Sequence, residues 1–285
     1  MYDYAQLYDD AHRQVVEDLS LYRRIAGNRP RRILELACGT GRVACALAAD
    51  GHTVIGIDSS TDMLAEARRR ASAVAGECTF LAADMRSFEI PGDFDLILLP
   101  LNGCAHLHSM SDLSDMFRHA ADHLRHNGRF VCHLFRYGSG LAPGSGALSS
   151  RGSFESRMLG GEVEWYESRT FSPGGEFEYL KWYFVPDTPR DSMQRSPQGP
   201  PESQDADPAD TVETELTLRI YSPGELSHAA SRAGLALAGE YTPADLGDAT
   251  GPGGAVSTTN PAHGGYSRAH TAEPDWFGVF SHAPF

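Results

Sequence analysis

The stretch ILELACGTGRVAC, Ile33 to Cys45, decides the fold. An apolar run of strand length leads into two glycines, Gly39 and Gly41, and apolar residues at helical spacing follow. This order predicts a strand, a tight turn and a helix. In an open parallel sheet such a turn lies where nucleotide-like ligands bind. The turn fits the loose pattern G-x-G-x-x-A, which leaves nicotinamide, flavin and sulfonium cofactors all open.

Strand and helix patterns continue to alternate after this unit. Strands are predicted at 32–36, 53–57, 79–82, 94–99 and 129–135, with helices at 8–26, 60–74 and 112–125. Continuous apolar strands such as FDLILL are typical of a parallel sheet that is covered on both faces. With later strands at 235–241 and 276–282, the predicted fold is α/β: a Rossmann-like, seven-stranded, mostly parallel sheet.

The pattern changes in the middle of the chain. Residues 153–185 alternate polar and apolar side chains between glycine turns, which predicts an inserted antiparallel layer. Residues 186–210 are rich in Pro, Ser, Asp and Gln and are expected to form a mobile loop. The expected division is a cofactor-binding core over 1–137, an inserted layer over 138–220, and a segment over 221–285 that completes the core.

Composition limits the function classes. The 285 residues carry a formal net charge of −14, which disfavours nucleic acid as a partner. No apolar run is long enough to span a membrane, so a cytoplasmic location is expected. The five cysteines show no metal-binding spacing and are expected to be reduced and buried, and no metal site is predicted.

Two carboxylates discriminate among the cofactors. Asp58 ends the second strand, where a carboxylate can bind two ribose hydroxyls. Glu35 lies inside the otherwise apolar first strand, close to the glycine turn. A negative charge there would oppose a pyrophosphate but suits a cofactor with a positively charged amino-acid end. The sequence therefore favours S-adenosylmethionine.

The same motifs resemble those of a known family. ILELACGTG resembles motif I of the class I S-adenosylmethionine-dependent methyltransferases, and VIGIDSSTDML resembles their second motif. The segments MYDYAQLYDD, ADMRSF and NGCAHL resemble the small-molecule branch that includes antibiotic amino-sugar N,N-dimethyltransferases. The resemblance covers about residues 1–137 and 212–241. The chain departs from the branch at His12 and in its tail over 242–275.

The resemblance implies roles for individual residues. Gly39 and Gly41 would line the methionine and ribose, Glu35 would lie under the amino end, and Asp58 would bind the ribose. Further residues expected at the cofactor are Tyr8, Ala37, Ser59, Met63, Asp84, Met85, Leu101 and Asn102. Asp84 would accept from the adenine amine, with Met63 and Met85 beside the ring. Met63 also has the helical spacing of an ordinary core residue.

Methyl transfer mainly requires that the protein positions the acceptor against the methyl group. A general base is needed only when the acceptor arrives protonated. His106 is the first candidate base, on the premise of a near-neutral pKa, and His133 and Tyr137 are the next candidates. Each could instead be a pocket or core residue. Aromatic residues of the antiparallel layer are expected to face the cleft and form the acceptor pocket. The alternative is that they hold the layer to the sheet or to a second copy in a homodimer.

The favoured hypothesis is that the protein is an enzyme. It would be an S-adenosylmethionine-dependent methyltransferase that acts on an N or O atom of a small molecule, for example in antibiotic biosynthesis. A Rossmann-type oxidoreductase and a non-methylating protein that binds the same cofactor stay open as alternatives.

Overall fold

The computed structural model describes residues 4–13, 15, 16, 18–136, 146–187, 211–242 and 275–283. Most of the expected mobile loop at 186–210, most of the tail over 242–275, and the candidate base Tyr137 lie outside these residues.

A seven-stranded sheet forms the centre of the fold, which confirms the predicted α/β class. Its strands are β1 (Arg32–Leu36), β2 (Thr53–Asp58), β3 (Glu77–Ala82), β4 (Phe94–Leu99), β5 (Leu124–Leu134), β10 (Leu235–Tyr241) and β11 (Trp276–His282), in the order β10-β11-β5-β4-β1-β2-β3. Strand β11 runs antiparallel to both of its neighbours, and the other pairs are parallel. The strand order reverses at β1, which pairs with both β2 and β4, so the ligand cleft of such a sheet is expected there.

Helices cover both faces of this sheet. The described helices are α1 (Ala5–Ala11), α2 (Leu19–Ala26), α3 (Arg42–Ala49), α4 (Thr61–Ala71), α5 (Met110–His123) and α6 (Pro223–Arg232). One buried cluster joins α2, α3 and α4 to the sheet, and another joins α5 and α6. Serine caps fix where three helices begin, because the hydroxyls of Ser60, Ser109 and Ser222 accept backbone N–H groups of the first turn.

A second sheet carries the middle of the chain. Strands β6 (Leu148–Ser156), β7 (Gly161–Phe171), β8 (Phe177–Pro186) and β9 (Val212–Arg219) pair antiparallel in sequence order. A third core cluster fastens α1 to this sheet through Leu7, Val163, Trp165, Trp182 and Phe184. The antiparallel layer predicted from the alternating pattern is therefore present.

The single helix predicted over 8–26 is wrong, because the chain forms α1 and α2 with a break between them. Arg42 accounts for the break. Its guanidinium donates to the Val15 carbonyl at 3.0 Å and to both oxygens of Asp18 at 2.6 and 2.8 Å. The Val15 carbonyl is thereby bound by a side chain from α3. The strand predicted at 129–135 also differs, since β5 begins at Leu124.

None of the described helices combines the length and apolar character needed to cross a membrane.

Candidate active site

A cavity of about 480 Å³ opens between the two sheets. Its floor is formed by residues at or just beyond the carboxyl ends of β1 to β5, and one wall comes from β8 and β9. Eleven predicted site residues line it: Tyr8, Ala37, Gly39, Asp58, Ser59, Met63, Asp84, Met85, Leu101, Asn102 and His106. The volume is in the range of small-molecule and cofactor sites.

The glycine turn and Asp58 form one hydrogen-bonded unit. Gly39 has a φ of +53°, and the space where a Cβ would lie is open. Its N–H donates to Asp58 Oδ2 at 2.8 Å, while the Ser60 N–H donates to Asp58 Oδ1 at 2.9 Å. Burial raises the pKa of Asp58, and these backbone donors oppose the rise. Asp58 thus holds the turn as well as facing the cavity.

Gly41 lies outside the cavity lining, so the structure does not bring it to the methionine and ribose end. It precedes α3 with a φ of +74°. An added Cβ would come within 2.6 Å of the Phe80 ring, so the glycine lets α3 approach β3 closely.

Glu35 also lies outside the lining, and the premise about its charge is wrong. Its side chain is 3% exposed and accepts a hydrogen bond from the Ala44 N–H of α3. Burial raises the pKa of Glu35 to about 8. The carboxyl is therefore mostly neutral at pH 7, and its charge cannot discriminate between a pyrophosphate and an ammonium group.

Two methionines give the cavity an apolar wall beyond Asp58. Met63 is buried on α4, and Met85 follows β3. Next to them, Arg86 binds Asp84 through its Nη2 at 2.6 Å and its Nε at 3.0 Å. This pairing lowers the pKa of Asp84, which keeps the carboxylate charged. The arrangement offers apolar surface beside a hydrogen-bond acceptor.

A strained turn follows β4 at the centre of the cavity. Leu101 and Asn102 have φ angles of +50° and +61°, a backbone region that residues with a side chain seldom occupy. The Asn102 N–H donates to the His133 carbonyl at 3.1 Å, and Asn102 Oδ1 accepts from the Phe135 N–H at 3.2 Å. The turn is thus fastened to β5 and leads into a short 3₁₀ turn, Gly103–His106.

His106 reaches the cavity from that 3₁₀ turn. Its ring is solvent-accessible and lines the cavity, but protein atoms surround it. This burial, with a smaller contribution from His108, lowers the pKa of His106 to about 4. The shift is downward from the near-neutral pKa that was expected, and the imidazole is neutral at pH 7.

His133 is placed behind the cavity and not in it. Its ring is 1% exposed and stacks on Phe277 at 4.0 Å between ring centroids. Nδ1 accepts from the Leu101 N–H at 3.3 Å, and Nε2 lies 2.6 Å from Asp275 Oδ2. Both ring nitrogens are engaged within the protein, so His133 is not placed to take a proton from an acceptor.

Tyr8 of α1 and His12, which directly follows this helix, form part of the cavity wall. His12 is the residue at which the chain departs from the family pattern. The two rings stack at 4.0 Å, and His12 Nδ1 donates to the Tyr8 carbonyl at 2.9 Å. Burial raises the pKa of Tyr8 to about 12 and lowers that of His12 to about 4, so both rings are uncharged at pH 7. No site role was expected for His12.

The other lining residues were not named as site residues, although Ala83, Arg86, Gly103 and Leu107 lie in the segments ADMRSF and NGCAHL. This set consists of Ala83, Arg86, Pro100, Gly103, Leu107, His108, Phe135, Leu180, Trp182, Glu215, Leu216, Thr217 and Leu218. Among the aromatics expected at the cleft, only Trp182 lines the cavity in the part of the chain that the structure describes. Trp165 and Phe184 pack in the third cluster, and Tyr179 is exposed on the other side of the layer.

Comparisons with known proteins agree on the class. Residues 33–128 match the model of the methyltransferase domain family. The chain superposes on the Streptomyces venezuelae protein DesVI with a TM-score of 0.66 at 18% identity, covering 99% of both chains. It superposes on the CcbJ methyltransferase of Streptomyces caelestis with a TM-score of 0.65 at 20% identity, covering 94% of this chain and 89% of CcbJ. The chain thus has the class I methyltransferase fold, and residues 33–128 are similar to a methyltransferase domain.

Curated relatives match over shorter lengths. The dTDP-3-amino-3,6-dideoxy-alpha-D-glucopyranose N,N-dimethyltransferase of Streptomyces fradiae is 28% identical over 165 residues, which are 54% of this chain and 63% of that protein. The putative methyltransferase YqeM of Bacillus subtilis is 36% identical over 88 residues, 30% of this chain and 35% of that protein. The chain thus covers less than two thirds of the length of these relatives.

Proposed function

We propose that this protein is an S-adenosylmethionine-dependent methyltransferase that acts on a small-molecule N or O acceptor. The observation that carries the proposal is the unit of Gly39 and Asp58 at the cavity, on a chain with this domain and fold. Solved neighbours support the cofactor, because the amino pentose methyltransferase CalS10 and the glycopeptide N-methyltransferase MtfA are described with S-adenosylmethionine bound. An oxidoreductase is not favoured.

The residues present fit this cofactor. The open side of Gly39 leaves room for a close approach by the methionine and ribose. Asp58 keeps acceptor capacity beyond its two backbone donors, which suits ribose hydroxyls. Met63 and Met85 would enclose the adenine, and Asp84 would accept from its amine. Leu101 and Asn102 would lie near the sulfonium, with Tyr8 closing over the amino-acid end.

Bound S-adenosylmethionine supplies an electrophilic methyl group on sulfur. The chain's own contribution is to align the acceptor and exclude water, and such positioning alone can lower a barrier by roughly 7 to 11 kcal/mol. We place the acceptor against Leu180, Trp182 and Leu216, which line the cavity on the second sheet. Residues 138–220 then act as a substrate layer over a cofactor core formed by 1–137 and 221–285.

The cofactor assignment is tested by calorimetric titration. Wild-type protein should bind S-adenosylmethionine and S-adenosylhomocysteine, and neither a nicotinamide nor a flavin. Asp58→Ala should weaken binding by about 1.5 to 3 kcal/mol, the usual contribution of hydrogen bonds to a charged group. Asp58→Asn is the matched control, since its amide oxygen keeps one acceptor for the turn. Equal affinity in wild type and Asp58→Ala would end the assignment.

We further propose that this protein is located in the cytoplasm and acts in the synthesis of antibiotic-type metabolites. All five cysteines are free, as in reducing compartments, and sugar N-methyltransferases are among the structural neighbours. The net charge of −14 argues against a nucleic-acid substrate. A homodimer stays a prediction, which light scattering of the purified protein would check.

A further inference from the structure

The cavity turn depends on a residue that lies far away in the sequence. Leu101 and Asn102 both have positive φ angles, a left-handed backbone region that Leu in particular seldom occupies. Such a turn persists only where surrounding contacts fix it. Three hydrogen bonds fasten it to β5: Leu101 N–H to His133 Nδ1, Asn102 N–H to the His133 carbonyl, and Phe135 N–H to Asn102 Oδ1. Only the first uses a side chain that can exist in two tautomers.

The first bond defines the state of the ring. A backbone N–H can donate to Nδ1 only if that nitrogen carries no proton. The neutral imidazole must then carry its proton on Nε2, which donates to Asp275 Oδ2 at 2.6 Å. His133 and Asp275 are 1% and 0% exposed, so solvent does not compete for either partner. A buried carboxylate that accepts this proton holds the ring in the tautomer that the turn requires.

Strand β11 brings Asp275 to this position. Asp275 directly precedes β11, and β11 pairs with β5 so that Trp276 lies opposite Leu134 and Phe277 opposite His133. Phe277 also stacks on the imidazole. The strand that follows the long Gly/Pro-rich tail therefore delivers both a carboxylate and a ring to the back of His133.

We propose that Asp275 and His133 are positioning residues: Asp275 fixes the tautomer of His133, and His133 holds the Leu101–Asn102 turn in its cofactor-binding geometry. Neither residue lines the cavity, so both act through the turn. The inference rests on the proposed function only in naming what the turn binds. The arrangement of the three groups is independent of it.

The wild-type protein gives a first test without any ligand. Nitrogen NMR of protein labelled at histidine should show an imidazole protonated on Nε2 whose signal disappears in His133→Asn. Buried His52, which also accepts a backbone N–H at Nδ1, should give a signal of the same kind that stays. A His133 signal from the tautomer protonated on Nδ1, or from the doubly protonated ring, would overturn the proposal.

Two variants separate positioning from simple loss of packing. Asn at position 133 places its amide oxygen where Nδ1 was and keeps an acceptor for Leu101, whereas Gln extends to Asp275 and leaves the Leu101 N–H unpaired. His133→Asn should bind S-adenosylhomocysteine within about twofold of wild type. His133→Gln should bind it about five- to tenfold more weakly, as expected for the loss of one hydrogen bond.

Asp275→Leu supplies the third arm. It removes the partner of Nε2, so His133 should appear as a mixture of tautomers, and affinity should fall as in His133→Gln. Equal binding by all three variants and the wild type would refute the positioning role, even if their melting temperatures differ. A wild-type protein that binds no S-adenosylhomocysteine would refute the proposed function instead, and the NMR result would still decide the tautomer.

Discussion

The protein surroundings shift the pKa values of three ring side chains in the cavity. His12 and His106 both line it, and burial lowers the pKa of each to about 4. Tyr8 has its pKa raised to about 12 by the same cause. All three side chains are therefore neutral over the physiological range. The cavity presents these uncharged rings toward an acceptor, and its lining also includes Asp58, Glu215 and the Asp84–Arg86 pair.

The low pKa of His106 determines how the enzyme should respond to pH. The base form is already complete above about pH 5, so its contribution to kcat should be constant from pH 6 to 9. It should be lost as pH falls through about 4. If the acceptor arrives protonated, His106→Ala should lower kcat by about 10²-fold, the lower end for general-base catalysis because this base is weak. Steady-state kinetics with the acceptor measures this.

His108→Ala is the matched control, because His108 also lines the cavity but binds the Thr217 carbonyl at 2.9 Å. Its kcat should stay near wild type. Cofactor affinity should be unchanged in both variants. Near wild-type turnover of His106→Ala over the whole pH range would leave positioning as the complete mechanism.

Helix α1, which carries Tyr8 of the cavity wall, is held in place by charged side chains of other elements. Its Asp9 and Asp10 are buried and accept hydrogen bonds from Arg157, which follows β6. Arg70 of α4 also binds Asp9, and Arg157 contacts Glu66 at 3.0 Å. This ionic cluster joins α1 to α4 and to the end of β6. Leu7 of α1 also packs in the third core cluster.

Removing the central cation should therefore release α1. Arg157→Ala leaves two buried carboxylates short of a partner and should cost about 1 to 3 kcal/mol, less than for a fully buried pair because Arg157 is 31% exposed. Hydrogen exchange over Leu7 to Ala11 should accelerate, and cofactor affinity should fall because Tyr8 and His12 lie on or beside this helix. Arg118→Ala, which breaks an exposed pair with Asp115, should change neither. Unchanged exchange in Arg157→Ala would contradict the assignment.

Local sequence patterns predicted the elements whose structure depends only on their own residues. The strands Phe94–Leu99, Leu235–Tyr241 and Trp276–His282 were predicted with the bounds that the structure has. Gly39 and Asp58 were expected at the cavity because Gly39 lies in the turn after the first strand and Asp58 ends the next strand. The break between α1 and α2 was missed, since it depends on Arg42. The partner of His133 was also missed, since Asp275 lies 142 residues further along the chain.

At the scale of the whole molecule, buried Glu35 makes stability depend on pH. Its pKa is near 4.5 when unfolded and about 8 when folded, so the folded state holds one more proton between these values. This contribution is complete below about pH 4.5 and is lost as pH rises through 8, with a slope of up to about 1.4 kcal/mol per pH unit. Glu35→Gln removes this proton linkage. Chemical denaturation from pH 5 to 9 should show wild type losing stability relative to the variant, and parallel curves would refute the buried-acid description.

Strand β11 has a further consequence for how the protein is made. It lies between β10 and β5 in the sheet, yet the ribosome synthesises it after both. Until residues 276–282 emerge, β5 and β10 each present an unpaired edge, and unpaired edges are where nascent chains pair wrongly or aggregate. Asp275 arrives in the same step. During translation, the completion of the sheet therefore coincides with the arrival of the carboxylate that pairs with His133, and a nascent chain without β11 lacks both.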